Sequence, residues 1–147
     1  MKIKLAVVFL FLTVHQNVTA QDNDTVKMIS YYMSLANHYQ FKNIPDSSFY
    51  YHNKALKLSI LVGDTAAISN CYTNLGAETF NRGFYDMSEG FLKKAVHLDS
   101  LTGNEKHLSN SLSFLGLVHG IRYLDNPQNT AFRDNSLDCV RKSLSID

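Results

Sequence analysis

Catalysis needs nucleophiles, matched acids and bases, or metal ligands, and few residues of this chain qualify. Beyond the first twenty residues stand five histidines, His38, His52, His97, His107 and His119, and two cysteines, Cys71 and Cys139. No two of these histidines lie four apart, the spacing that puts two imidazoles on one helix face over a metal. The sequence has no H-E-x-x-H, no C-x-x-C, no G-x-S-x-G and no phosphate-cradling glycine loop. The histidines therefore read as packed or surface groups. Glu78 and Glu89 read as isolated, solvated carboxylates rather than an acid–base pair. These residues predict a protein that is not an enzyme and carries neither cofactor nor metal.

The elements that carry these residues follow from composition and pattern. A chain of 147 residues, 45% hydrophobic and 18% charged, suits one folded domain rather than a disordered chain. Its start is separate. Lys2 and Lys4 precede an apolar run of ten residues from Leu5 to Val14, and Val18-Thr19-Ala20 follows. That order predicts a secretory signal cut after Ala20, and hence export to a periplasm or the exterior. A spanning helix needs about 20 apolar residues, so an uncleaved anchor is disfavoured and the mature chain is not expected in a membrane. Losing Lys2 and Lys4 leaves 12 basic against 13 acidic residues, which does not suit a nucleic-acid binder. Cys71 and Cys139 are expected as free thiols, small buried groups on helices that do not touch.

Those helices come in repeats. Tyr32-x-x-Leu35-Ala36, Tyr72-x-x-Leu75-Gly76 and Leu112-x-x-Leu115-Gly116 recur at one fixed period. KALKLS from Lys54 and KAVHLD from Lys94 keep that period. KSLSID starts late, at Lys142, so eight residues are inserted around YLDNPQNTAFRDN. Gly63-Asp64 and Gly103-Asn104 suit a left-handed C-cap followed by an N-cap. Each unit reads as helix, turn, helix: 26–41 and 46–61, then 65–82 and 86–101, then 105–122 and 133–147. The repeat bounds fall near 26–63, 64–103 and 104–147. Gly76 inside a helical run costs about 1 kcal/mol against Ala. Small residues at one register in every unit, with Ala55 and Ala95 on the second helices, predict a close crossing of each first helix on its own second helix. Tyr72 and Leu92 are expected to fill the space beside it.

On these residues the chain resembles the tetratricopeptide repeat. The middle unit matches at Tyr72, Leu75, Gly76, Gly83, Tyr85, Ser88, Leu92 and Ala95. The first matches at Tyr32, Leu35, Ala36, Tyr39 and Ala55, and the third at Leu112, Leu115 and Gly116. The common unit has about 34 residues. The step from Leu35 to Leu75 is longer, and is similar to the longer variant of bacterial regulatory proteins. His52, His119, Asn43 and Pro45 depart from the pattern. The resemblance implies an all-α solenoid of three helix-turn-helix repeats stacked as a right-handed superhelix, whose first helices line a concave groove for a protein or peptide. The implied lining includes Asn37, Gln40, Asn70, Thr73, Phe80, Asn81, Asn110 and Ser113. Asparagine both donates and accepts, as an extended peptide backbone requires; the same residues would also serve merely to solvate an exposed face. Two functions follow: an exported, non-enzymatic interaction module, or the extracytoplasmic sensory part of a longer bacterial receptor, a histidine kinase or transcriptional regulator. The last helix carries Leu137, Val140 and Leu144 on one edge and Cys139 and Ile146 on the other. Its neighbour covers one edge only, and arrays close with a polar-faced helix. The chain therefore reads as a truncated piece of a longer array, or as one whose last helix is covered by a partner or a second copy.

Overall fold

The computed structural model describes residues 23–146, so the expected signal segment, 1–20, lies outside the described residues. Helices occupy 23–41 (α1), Pro45–Val62 (α2), Thr65–Asn81 (α3), Tyr85–Thr102 (α4), Glu105–Asp125 (α5) and Thr130–Leu144 (α6). No strand occurs among the described residues. Tyr51 of α2 stacks on Tyr32 and Tyr39 of α1, and from α2 onward each helix packs on the next, with α3 also touching α5. The molecule is thus an all-α helical repeat arrangement, as its periodicity predicts. No helix among the described residues is long and apolar enough to cross a membrane.

One turn is used four times. The backbone N–H of Ile44, Asp64, Phe84 and Asn104 donates to the carbonyl five residues earlier, of Tyr39, Ser59, Thr79 and Asp99, at 2.9–3.0 Å. The residue before each donor has positive φ: Asn43 at 56°, Gly63 at 71°, Gly83 at 79° and Gly103 at 65°. This bond needs a left-handed residue at the helix end, which Gly and Asn tolerate best. The turn therefore recurs at half the sequence period. Asn43 does at the first turn what Gly83 does one period later. Pro45 then opens α2, where no N–H is needed. Asp64 and Asn104 cap α3 and α5 by accepting from the N–H of Ala67 and His107.

The fifth such position holds Tyr123, a bulky residue unsuited to a left-handed backbone. Here α5 runs on to Asp125, with 21 residues against 17 in α3. α6 then opens at Thr130, three residues ahead of Arg133, the equivalent of the Tyr85 that starts α4. The inserted residues mostly lengthen helices instead of the loop expected between 122 and 133.

Gly76 has a more specific partner than expected. A Cβ built on it would sit 2.6 Å from Cγ and 2.8 Å from Cδ2 of Leu92. Leu92 is thus seated over the glycine rather than filling space beside it. Ala95 is fully buried, and its carbonyl accepts from Ser69 on α3. Hydroxyls tie the crossings: Ser88 donates to the Gly76 carbonyl at 2.7 Å, and Ser136, its equivalent across the insertion, to that of Gly116 at 2.9 Å. Gly76→Ala is expected to lower stability by about 1–2 kcal/mol in urea unfolding, although Ala is the better helix former. Combined with Leu92→Ala, the loss should be smaller than the two single losses added, because the clash disappears. Strict additivity would remove Leu92 as the cause.

Two apolar clusters result. Ala55, Leu56, Cys71 and Leu75 gather between α2 and α3, with Tyr32 and Met33 of α1 against them. Leu92, Leu112, Leu115, Val118 and Cys139 gather among α4, α5 and α6. The thiols belong to different clusters and are free. On α6, Cys139 is buried while Leu137, Val140 and Leu144 remain exposed.

Candidate binding hollow between α3 and α5

α3 and α5 lie side by side because hydroxyls bridge them. Thr73 shares a hydrogen bond of 2.8 Å with Ser111, and Ser111 donates to Asp99 of α4 at 3.1 Å. Ser69 donates to the other carboxylate oxygen at 2.5 Å. Thr73 also reaches the Ser69 carbonyl of its own helix at 3.1 Å, so two hydroxyls with one proton each share three contacts. The network runs Thr73 to Ser111 to Asp99 and fixes the register of the two helices.

Above it lies a hollow of about 210 Å³ lined by Asn70, Thr73, Asn74, His107, Asn110 and Phe114. The structure thus brings together three of the residues read from sequence, Asn70, Thr73 and Asn110. Asn74 donates to Asn70 Oδ1 at 2.8 Å. That bond leaves the Asn70 amide N–H groups and the Asn74 carbonyl uncommitted, a donor and an acceptor one helical turn apart. Asn74, His107 and Phe114 were missed by the sequence reading. Asn74 and Phe114 follow Asn70 and Asn110 by four residues, and that helical spacing was the signal that could have found them.

The other residues read from sequence go elsewhere. Gln40 and Asn81 line a second hollow, between α1 and α3. Asn37 is exposed on α1. Phe80 is packed against the apolar cluster of α4 and α5, its ring 5.8 Å from that of Tyr85, because its face of α3 meets a neighbour helix. Ser113 shares a bond of 2.9 Å with Ser143 of α6, so it is part of a helix crossing rather than a groove wall.

The two glutamates are not the solvated carboxylates expected. Glu78 is 4% exposed and accepts from Ser48 of α2 at 2.8 Å. Glu89 pairs with Lys93 at 2.5 Å and with Arg122 of α5 at 2.8 Å. Burial pushes the Glu89 carboxyl up, but Lys93 and Arg122 outweigh it and hold it below its ordinary value. Arg122 also binds Asp86 and lies 5.5 Å over the Phe132 ring. This clamp stands in a hollow of about 560 Å³, with Phe84, Met87 and Asp125. Its guanidinium is already matched, so it holds α5 to α4 instead of awaiting a ligand. Burial pushes the Cys71 thiol up to about 12, and the Cys139 thiol in the same direction, which keeps both unreactive. Among the described residues no group of three His, Cys, Asp or Glu could hold a metal ion.

Fold and hollow together define an all-α helical repeat protein with an uncharged, amide-lined recess between alternate helices. No protein-family model matches the chain, and no curated protein matches its sequence.

Proposed function

We propose that this chain is a non-enzymatic module of the tetratricopeptide kind that binds an extended peptide segment of a partner protein, acting after export. The observation that carries this reading is the meeting of Asn70, Asn74 and Asn110 around one hollow with Phe114 at its wall. An extended backbone presents alternating N–H and C=O groups, and primary amides answer both. Phe114 offers an apolar surface for one side chain, and His107 a further polar contact. The N-terminal pattern of Lys2, Lys4, Leu5 to Val14 and Ala20 supports export.

The test uses the full chain and peptides selected on it from a random display library. Asn70→Ala with Asn110→Ala is expected to weaken the selected peptide at least about tenfold, the loss of one to two hydrogen bonds. The circular dichroism spectrum should stay unchanged, since neither residue bridges helices. Undiminished affinity would move the binding site away from this hollow.

A further inference from the structure

The hollow between α1 and α3 shares no lining residue with the one just described, and it holds an unanswered charge. About 210 Å³ in volume, it is bounded by Gln40, Ile44, Pro45, Glu78, Asn81 and Arg82 among others. Glu78 is 4% exposed. Ser48 satisfies Oε2, but Oε1 has no hydrogen-bond partner among the described residues. A buried carboxylate oxygen without a donor is costly and rare. Arg82 acts on it only through space and makes no hydrogen bond to it, because it pairs with Asp46 at 3.0 Å and lies 5.4 Å over the Phe84 ring. Counting Glu78, Arg82 and Asp46 together leaves one negative charge.

We infer that this hollow is a binding site for a primary ammonium group on an alkyl stem. An ammonium brings three donors and one positive charge. One donor meets Glu78 Oε1, and the side-chain carbonyls of Gln40 and Asn81, which also line the hollow, can take the others. Ile44 and Pro45 give the stem an apolar surface. A divalent metal ion fits worse, since hard cations seek several carboxylates and this lining supplies one. Burial holds the Glu78 carboxyl above its ordinary value despite Ser48, Arg82 and the backbone N–H of Phe49; a bound cation would draw it back down. The ammonium belongs either to a free small amine or to a lysine side chain.

The test is a heteronuclear NMR titration of the full chain with n-butylammonium chloride, with n-butanol and calcium chloride as controls. Saturable shifts confined to residues 40–48 and 78–82 are expected with the amine alone. Glu78→Gln keeps an acceptor for Ser48 but lacks the charge, and should weaken binding at least about tenfold. Ile44→Ser, which leaves Glu78 in place, should weaken it about threefold through loss of the stem contact. The Glu78 carboxyl carbon should titrate at lower pH in the presence of the amine, a readout that needs no variant. Nα-acetyl-lysine N-methylamide binding more tightly than butylammonium assigns the site to a peptide side chain; the reverse assigns it to a free amine. Equal binding of n-butanol, displacement of the amine by calcium, an unaffected Glu78→Gln variant or the absence of saturable shifts would each overturn the site.

Discussion

Acidification from pH 7 to pH 4 is expected to remove about 3 kcal/mol of stability through one side chain, His52. The residue is fully buried in α2, and neither ring nitrogen has a hydrogen-bond partner among the described residues. Burial lowers its pKa from 6.5 to about 4, because the charged ring cannot be solvated there. The unfolded chain takes the proton near 6.5. Between the two values it binds more protons than the folded one, so the contribution is whole above pH 6.5 and drains as pH falls towards 4. At about 1.4 kcal/mol per pH unit, that gap gives the stated magnitude. Burial also lowers His119, which adds loss of the same sign, while raised Glu78 works in the opposite direction. The wild-type curve therefore mixes several groups. His52→Leu isolates one of them, with the residue type that α4 uses at the equivalent Leu92. In urea unfolding at stepped pH, the stability difference between variant and wild type should grow by about 3 kcal/mol from pH 7 to pH 4. Parallel curves would mean that His52 finds a partner or solvent in the folded chain.

Asp99→Ala is expected to cost about 2–3 kcal/mol and to weaken peptide binding at the α3–α5 hollow. The carboxylate is 1% exposed and receives Ser69 and Ser111, themselves buried. Its removal takes the charged acceptor from two hydroxyls, and each bond to such an acceptor is worth about 1.5–3 kcal/mol. Ser69 can fall back on the Ala95 carbonyl at 3.4 Å, which holds the total at the lower end. Ser111 loses the acceptor that orients it towards Thr73, so the register of α3 and α5 loosens beneath Asn70 and Asn110. Replacing the whole network, with Asp99→Leu, Ser69→Ala and Ser111→Ala together, should cost less than Asp99→Ala alone, since no hydroxyl deprived of that acceptor remains. Urea unfolding gives the first quantity and peptide affinity the second. A triple variant weaker than the single one would mean that the network contributes net stability beyond satisfying its own members.

Parts of this arrangement were legible beforehand. Asn70 and Asn110 stand one period apart, so equivalence alone puts them on corresponding faces, and the structure brings them to one hollow. Ser48, Ser88 and Ser136 also recur in register. Yet Ser88 and Ser136 bond glycine carbonyls, while Ser48 turns to Glu78. Equal sequence positions thus acquired unequal partners. Glu78 read as isolated because Ser48 lies on another helix, as Arg122 does for Glu89; the other partner of Glu89, Lys93, stands four residues on along α4 and was legible. Phe80 and Ser113 read as groove lining, but a small rotation of a helix about its axis carries a side chain from open face to crossing.

Number, order and ends of the helices were set by short-range chemistry in the sequence itself. A left-handed Asn or Gly closes a bond between residues five apart, and a Tyr in that place lets the helix run on. Which charges and hydroxyls of different helices meet was decided by the tertiary structure alone. Those meetings require two helices to cross at a distance and angle fixed by the packing of Leu92 on Gly76 and its counterparts. A spacing along the chain carries no record of that geometry.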